Sequence, residues 1–114
     1  MLTVYGIKNC ETVKKALTFL NEHSLNYDFV DLKTTSLKAE KIMAWKKAMG
    51  DFPVNKAGLS FRKYKESFEA MTDSEKIKLI IEVPTLIKRP LIEKNGVFIS
   101  VGMSRDKEKL WLAP

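Results

Sequence analysis

Apolar residues near the start of the chain follow first a strand pattern and then a helix pattern. Leu2 to Tyr5 alternates apolar and polar positions and stops at Gly6, which predicts a strand. The next apolar residues recur at the spacing i, i+3, i+4, i+7, and they are Val13, Ala16, Leu17 and Leu20. This spacing predicts an amphipathic helix over about residues 11–22.

A second strand is predicted within Asn26–Leu32, and the pattern then becomes helical. Ser36 stands where it can cap a helix that Gly50 ends. One face of this helix carries Ile42, Trp45 and Met49. We therefore expect a helix to follow the second strand.

Capping and turn residues mark the later elements. Thr72-Asp73-Ser74-Glu75 is a capping-box pattern, which predicts a helix that stops at Pro84. Asn95-Gly96 accepts the positive φ angles of a type I′ turn. Because apolar runs flank this pair, Leu91–Ile92 and Val97–Val101 are predicted to form a β-hairpin.

The order of elements predicts the fold. Ser104 can cap a last helix, so the chain reads β-α-β, a helical block, then β-β-α. Strands joined through a helix run parallel, whereas a hairpin adds antiparallel strands. We expect an α/β protein with a mixed four-stranded sheet and a thioredoxin-like fold. We also expect a single domain over residues 1–114, with a helical insertion at about 34–84.

Composition is that of an ordinary globular protein. The 114 residues are 45% hydrophobic and 30% charged, which suffices for a core without disulfides or a metal. No apolar stretch approaches the ~18–20 residues that cross a bilayer, and the N-terminus has a strand pattern rather than that of a signal peptide. A single cysteine is usual in a reducing compartment. We therefore expect a cytoplasmic protein and, since nothing demands a dimer, a monomer.

The net charge of +6 comes from lysines spread along the whole chain. None of the basic clusters is a run of five or more, so we interpret them mainly as a solvated surface. A small anionic molecule, an acidic protein partner and nucleic acid are the alternatives. Of these, nucleic acid is the least expected.

The only cysteine, Cys10, lies where the predicted first strand gives way to the predicted helix. Backbone N–H groups and the positive end of the helix dipole stabilise an anion there, so we predict a nucleophilic thiolate. Lys8 and Lys14 can add positive potential, which Glu11 opposes. Thr12 can offer a hydroxyl to the site or cap the turn. The alternative, a buried structural cysteine, fits poorly with the polar flanking residues.

Other chemistry is limited. One cysteine and one histidine cannot supply the ligands of a metal site, and we interpret His23 as a helix C-terminal cation.

In a thioredoxin-like fold, the strand after the insertion begins with a proline facing the cysteine loop. We therefore predict a cis Arg89–Pro90 bond that turns Arg89 toward Cys10. Its guanidinium would bind an oxyanion or a carboxylate, the alternative being a solvated surface charge.

Five segments, in order along nearly the whole chain, match a known pattern. They are Tyr5-Gly6-Ile7-Lys8-Asn9-Cys10, Thr12-Val13-Lys14-Lys15-Ala16, Gly58-Leu59-Ser60-Phe61-Arg62-Lys63, Ile87-Lys88-Arg89-Pro90-Leu91 and Val101-Gly102. Together they resemble the arsenate reductase (ArsC)/Spx-like family, most closely its YffB-type branch. The resemblance implies a thioredoxin-like fold, a nucleophile at Cys10, a cis peptide at Arg89–Pro90 and a thiol-dependent reductase that draws electrons from glutathione. Without a second cysteine, an outside thiol must resolve a thiol attached to Cys10.

The chain departs from this family at two kinds of position. Arsenate-reducing members hold the oxyanion with three arginines, of which one matches Arg89. The other two places fall near Asn55 or Lys56 and near Val101-Gly102, where no arginine stands, so arsenate reduction itself is not implied. Spx-type regulators often carry Cys-x-x-Cys, but Val13 takes the second place here.

Two functions follow as hypotheses. In the first, Cys10 attacks a disulfide, a mixed glutathione disulfide or an oxyanion, and glutathione or a glutaredoxin completes the cycle. The residues predicted to bind this substrate are Lys8, Asn9, Thr12, Lys14, Arg62, Arg89 and Pro90. The alternative is an Spx-like regulatory protein that binds RNA polymerase or another protein partner. Only the first hypothesis requires the sulfur of Cys10.

Overall fold

A computed structural model describes all 114 residues and contains a four-stranded sheet with strand order β2-β1-β3-β4. The elements are β1 Leu2–Gly6, α1 Glu11–Glu22, β2 Tyr27–Asp31, α2 Ala39–Met49, α3 Leu59–Arg62, α4 Lys65–Ala70, α5 Asp73–Glu82, a 3-10 helix Pro84–Leu86, β3 Leu91–Lys94, β4 Val97–Val101 and α6 Arg105–Leu112. Strand β1 is parallel to β2, and β3 is antiparallel to both β1 and β4. This confirms the predicted mixed sheet and α/β fold. None of the helices is long and apolar enough to cross a membrane.

The chain divides into two compact units. The first comprises Met1–Leu32 with Arg89–Pro114 and holds the sheet, α1 and α6. The second comprises Lys33–Lys88 and holds α2 to α5. The predicted insertion at about 34–84 lies within the second unit. That both units belong to a single domain stays a prediction.

The core of the first unit lies between one face of the sheet and helices α1 and α6. Its buried cluster consists of Leu2, Val4, Ala16, Leu20, Ile92 and Trp111. The one polar atom of the Trp111 ring, Nε1, donates a hydrogen bond of 2.8 Å to the buried hydroxyl of Ser100. The indole can therefore be buried without an unpaired donor, which fixes α6 against β4.

The second unit is built around aromatic rings. Phe68 meets Phe61 and Phe52 edge to face, with ring centroids 5.3 and 6.4 Å away, respectively. The amine of Lys76 lies over Phe68 at 4.9 Å and over Phe52 at 5.6 Å. A hydrogen bond of 2.9 Å from the Lys88 N–H to the Pro53 carbonyl joins the last residue of this unit to the segment after α2. Aromatic packing and cation–π contacts thus hold the short helices together.

Most of the predicted helix and turn signals are confirmed. The hydroxyl of Thr72 accepts the Glu75 N–H and the Glu75 carboxylate accepts the Thr72 N–H, which completes the capping box. The Ser104 hydroxyl likewise accepts a backbone N–H at the start of α6. Asn95 and Gly96 have φ angles of 52° and 80°, as the hairpin turn requires. These signals depend only on neighbouring residues, which is why the sequence reveals them.

The predicted cap at Ser36 is wrong. Helix α2 begins at Ala39 with Lys38 as its N-cap, and no side chain caps it. Leu37 and Ile42 are instead buried at the two positions of a hydrophobic staple. Burial of Leu37, rather than a hydroxyl cap, therefore determines where the chain enters α2. The predicted end at Gly50 is confirmed, since its φ of 82° is left-handed.

Candidate active site

A tight turn between β1 and α1 carries the cysteine. Its first residue, Ile7, is buried, and its carbonyl accepts the N–H of Cys10 at 3.1 Å. Lys8 and Asn9 are exposed at the tip of this turn. Cys10 has extended backbone angles of φ −89° and ψ 123° and is the N-cap of α1. The turn therefore delivers the thiol to the exact start of the helix.

The surroundings of the sulfur favour an anion. No side chain caps α1, and the first helical N–H groups have no acceptor within the helix. The carbonyl of Cys10 accepts the Lys14 N–H at 3.0 Å, so the cysteine is joined to the first turn. Its thiol is free and partly exposed. An incoming reagent can thus reach a sulfur that lies at the positive end of the helix dipole.

The charged side chains of the first turn partly cancel. The Lys14 amine lies 3.5 Å from the carboxylate of Glu11, and both side chains are largely exposed. An exposed pair of this kind contributes little energy and little net potential. Lys8 and Thr12 are also exposed. Lys14 therefore adds little to the positive potential that the helix end provides beside Cys10.

Arg89 and Pro90 belong to the same unit and lie at the same end of the sheet as the cysteine turn. The peptide bond between them is cis, which confirms that part of the prediction, whereas the turn of Arg89 toward Cys10 stays a prediction. Strand β3 starts directly after Pro90, and its first residue, Leu91, pairs with Tyr5 near the end of β1. Pro90 is buried and Arg89 is half-buried. The register of β1 and β3 thus places the Arg89–Pro90 segment at the end of the sheet where the Cys10 turn begins.

Arg62 is the one predicted binding residue that belongs to the second unit. It is exposed and is the last residue of α3. Its part in binding stays a prediction, as do the binding roles of Lys8, Asn9, Thr12, Lys14, Arg89 and Pro90. No three His, Cys, Asp or Glu side chains converge to form a metal-binding group.

Sequence reasoning missed the backbone support of the Arg89–Pro90 segment. The N–H of Gly102 donates to the Pro90 carbonyl at 2.8 Å. Gly102 is buried and has a φ of 76°, a conformation that favours glycine. A glycine directly after a predicted strand was the available signal, but its partner is remote in sequence.

A second missed feature is a buried polar pair in the sheet. The hydroxyl of Tyr5 in β1 donates to a carboxylate oxygen of Glu93 in β3 at 2.9 Å. Burial, and secondarily the hydrogen bond and charge of Glu93, raise the pKa of Tyr5. The pair thus connects β1, which precedes the cysteine turn, to β3, which follows the cis proline.

Comparison with known proteins places this geometry in context. The sequence model of the ArsC family matches residues 5–109. An uncharacterized protein of Haemophilus influenzae is 38% identical over 103 residues, which cover 84% of this chain and 86% of that protein. The solved structure of a YFFB protein has a TM-score of 0.83 at 36% identity and covers 99% of this chain and 100% of its own. The global transcriptional regulator Spx of Streptococcus mutans is 24% identical, over 98% of this chain and 83% of its own.

Proposed function

Because this chain belongs to the ArsC family, we propose that it is a thiol-dependent oxidoreductase whose nucleophile is Cys10. The observation that carries the proposal is the position of the sole cysteine, partly exposed at the uncapped start of α1. The half-buried Arg89 lies at the same end of the sheet. Together they supply a nucleophile for a disulfide sulfur and a cation that can bind a carboxylate or an oxyanion.

The proposed substrate is a disulfide, above all a mixed disulfide between glutathione and another thiol. The Cys10 thiolate attacks the glutathione sulfur, a bond forms between the two, and the other thiol leaves as a thiolate that takes up a proton. A second glutathione thiolate then attacks the sulfur of glutathione bound to Cys10. Oxidised glutathione leaves and the Cys10 thiolate is restored. In the complete cycle, the incoming glutathione is oxidised, the substrate thiol is reduced, and the glutathione from the mixed disulfide passes through Cys10 into oxidised glutathione, so no second cysteine is needed.

Binding of glutathione is assigned in this proposal to groups around the turn. The guanidinium of Arg89 can form two parallel hydrogen bonds with a carboxylate, which an amine cannot. Lys8, Asn9 and Thr12 are exposed close to Cys10 in the sequence, and their side chains are assigned to the bound glutathione in this proposal. A glutaredoxin could take the place of the second glutathione, and a cytoplasmic location would supply both reductants.

The experiment is a mass measurement followed by a turnover assay. We expect incubation with oxidised glutathione to add one glutathione to Cys10, and reduced glutathione to remove it. A glutathionylated peptide should then be reduced in a glutathione-coupled assay, and Cys10→Ser should lose both the adduct and the turnover. Wild-type protein that neither forms the adduct nor turns over the peptide would overturn the proposal. Arsenate in a parallel assay tests an oxyanion substrate.

A regulatory function is the second candidate, and the similarity to Spx favours it. Here the protein would bind RNA polymerase or another protein partner. Val13 stands where a second cysteine would complete Cys-x-x-Cys, so binding would not depend on an internal disulfide. A pull-down with purified RNA polymerase separates the two functions. The regulator is supported if wild type and Cys10→Ser are captured equally, and is rejected if neither is captured.

A further inference from the structure

Gly6 is the last residue of β1 and lies next to Val13 in the first turn of α1. A Cβ atom built on Gly6 would lie 2.9 and 3.0 Å from the two methyl carbons of Val13 and 3.5 Å from the ring of Phe29. Carbon atoms at optimal contact are ~3.5–4.0 Å apart, so the first two distances are too short. Gly6 does not have a left-handed φ, unlike Gly50, Gly96 and Gly102. Its missing side chain therefore serves close packing and not an unusual backbone angle.

The Val13 side chain cannot move aside without a substantial energetic cost. It is fully buried, and its β-branched shape leaves one strongly preferred rotamer in a helix. Interiors are packed closely enough that even one added methyl group displaces its neighbours. A methyl group on Gly6 would therefore push the first turn of α1 away from β1 by about half an ångström.

This displacement would affect both backbone hydrogen bonds of Cys10. Its N–H is bound to the carbonyl of Ile7, which directly follows Gly6, and its carbonyl accepts the Lys14 N–H in the first turn of α1. Cys10 is thus held between the strand end and the helix start. A change in their separation alters the position of the sulfur relative to the helical N–H groups.

We propose that Gly6 is a positioning residue for Cys10. Because Gly6 has no side chain, Val13 can pack closely against β1, and this packing keeps the sulfur at the N-terminal end of α1. The inference rests on the proposed role of Cys10 as a nucleophile. Reactive groups must be held within ~0.5 Å of their productive geometry, which is the size of the displacement expected here. The chemistry itself remains with Cys10.

The test measures the rate at which Cys10 reacts with oxidised glutathione in four proteins. These are wild type, Gly6→Ala, Val13→Ala and the double variant that contains both. Val4→Ala is the matched control, because Val4 lies two residues earlier in β1 and is buried against Ala16 and Leu20. It should weaken the fold without altering the Gly6–Val13 contact. Urea unfolding of each variant reports stability separately.

We expect Gly6→Ala to slow the reaction by about tenfold, part of the ~100-fold loss that a full 1 Å misplacement can cause. The double variant should react within about twofold of Val13→Ala, because the smaller side chain makes room for the methyl group. Val4→Ala should react like wild type. If Gly6→Ala does not fold, the double variant and Val13→Ala carry the test alone.

A purely structural role predicts a different pattern. Folded Gly6→Ala that reacts at the wild-type rate would overturn the proposal, as would a double variant that reacts much more slowly than Val13→Ala. Failure of the proposed function looks different again. In that case wild-type Cys10 itself would form no adduct with oxidised glutathione, whatever residue stands at position 6.

Discussion

The buried Tyr5–Glu93 pair allows a quantitative prediction. Tyr5→Phe removes only the hydroxyl that donates to Glu93 at 2.9 Å. The two residues are 8% and 3% exposed, so water cannot easily replace the lost donor. A hydrogen bond to a charged group contributes ~1.5–3 kcal/mol, and we expect the free energy of unfolding to fall by about this amount at neutral pH.

The effect should also depend on pH in a defined direction. Burial and the contact with Glu93 raise the pKa of Tyr5 in the folded protein above its ordinary value. The stabilisation is therefore complete below the unfolded pKa of ~10 and is lost as the pH rises above it, by up to ~1.4 kcal/mol per pH unit. Tyr5→Phe should lack this part of the alkaline loss.

Urea unfolding at neutral and alkaline pH measures both effects. Tyr27→Phe is the matched control, since Tyr27 is half-buried in β2 of the same sheet, and it should change stability by less than ~0.5 kcal/mol. Glu93→Gln, which keeps an acceptor but removes the charge, should couple to Tyr5→Phe in a double-mutant cycle. A loss in Tyr5→Phe no greater than that in Tyr27→Phe, with unchanged alkaline behaviour, would refute the reasoning.

Two further outcomes are expected. Gly102→Ala should cost ~1–2 kcal/mol in urea unfolding because of its positive φ, and an unchanged stability would contradict this. If both units form one domain, Thr72→Ala should lower stability by ~0.5–2 kcal/mol and shift equally the fluorescence transitions of the two tryptophans, one in each unit. Separate transitions would contradict the single domain.

The features that the sequence determined by itself are those set by neighbouring residues. The periodicity of Val13 to Leu20 predicted α1 with its observed bounds, and the capping box at Thr72 marked the start of α5. Helix capping and hairpin turns are closed by groups three or four positions apart, so their signals can be read from a short window. The place of Cys10 at the start of α1 follows from the same local pattern, whereas the cis bond before Pro90 was predicted from the thioredoxin-like fold that the elements indicate.

Only the tertiary structure decided which remote residues meet. Tyr5 and Glu93 are 88 positions apart, and nothing local indicates that a carboxylate in β3 is buried against a tyrosine in β1. The Gly6–Val13 contact depends on how closely α1 packs on β1, and the start of α2 depends on the burial of Leu37. Hydrogen bonds within one turn are short-range, whereas packing depends on the whole chain closing around its core. Contacts between residues close in sequence can therefore be predicted from the sequence, whereas contacts between remote residues are decided only by the folded structure.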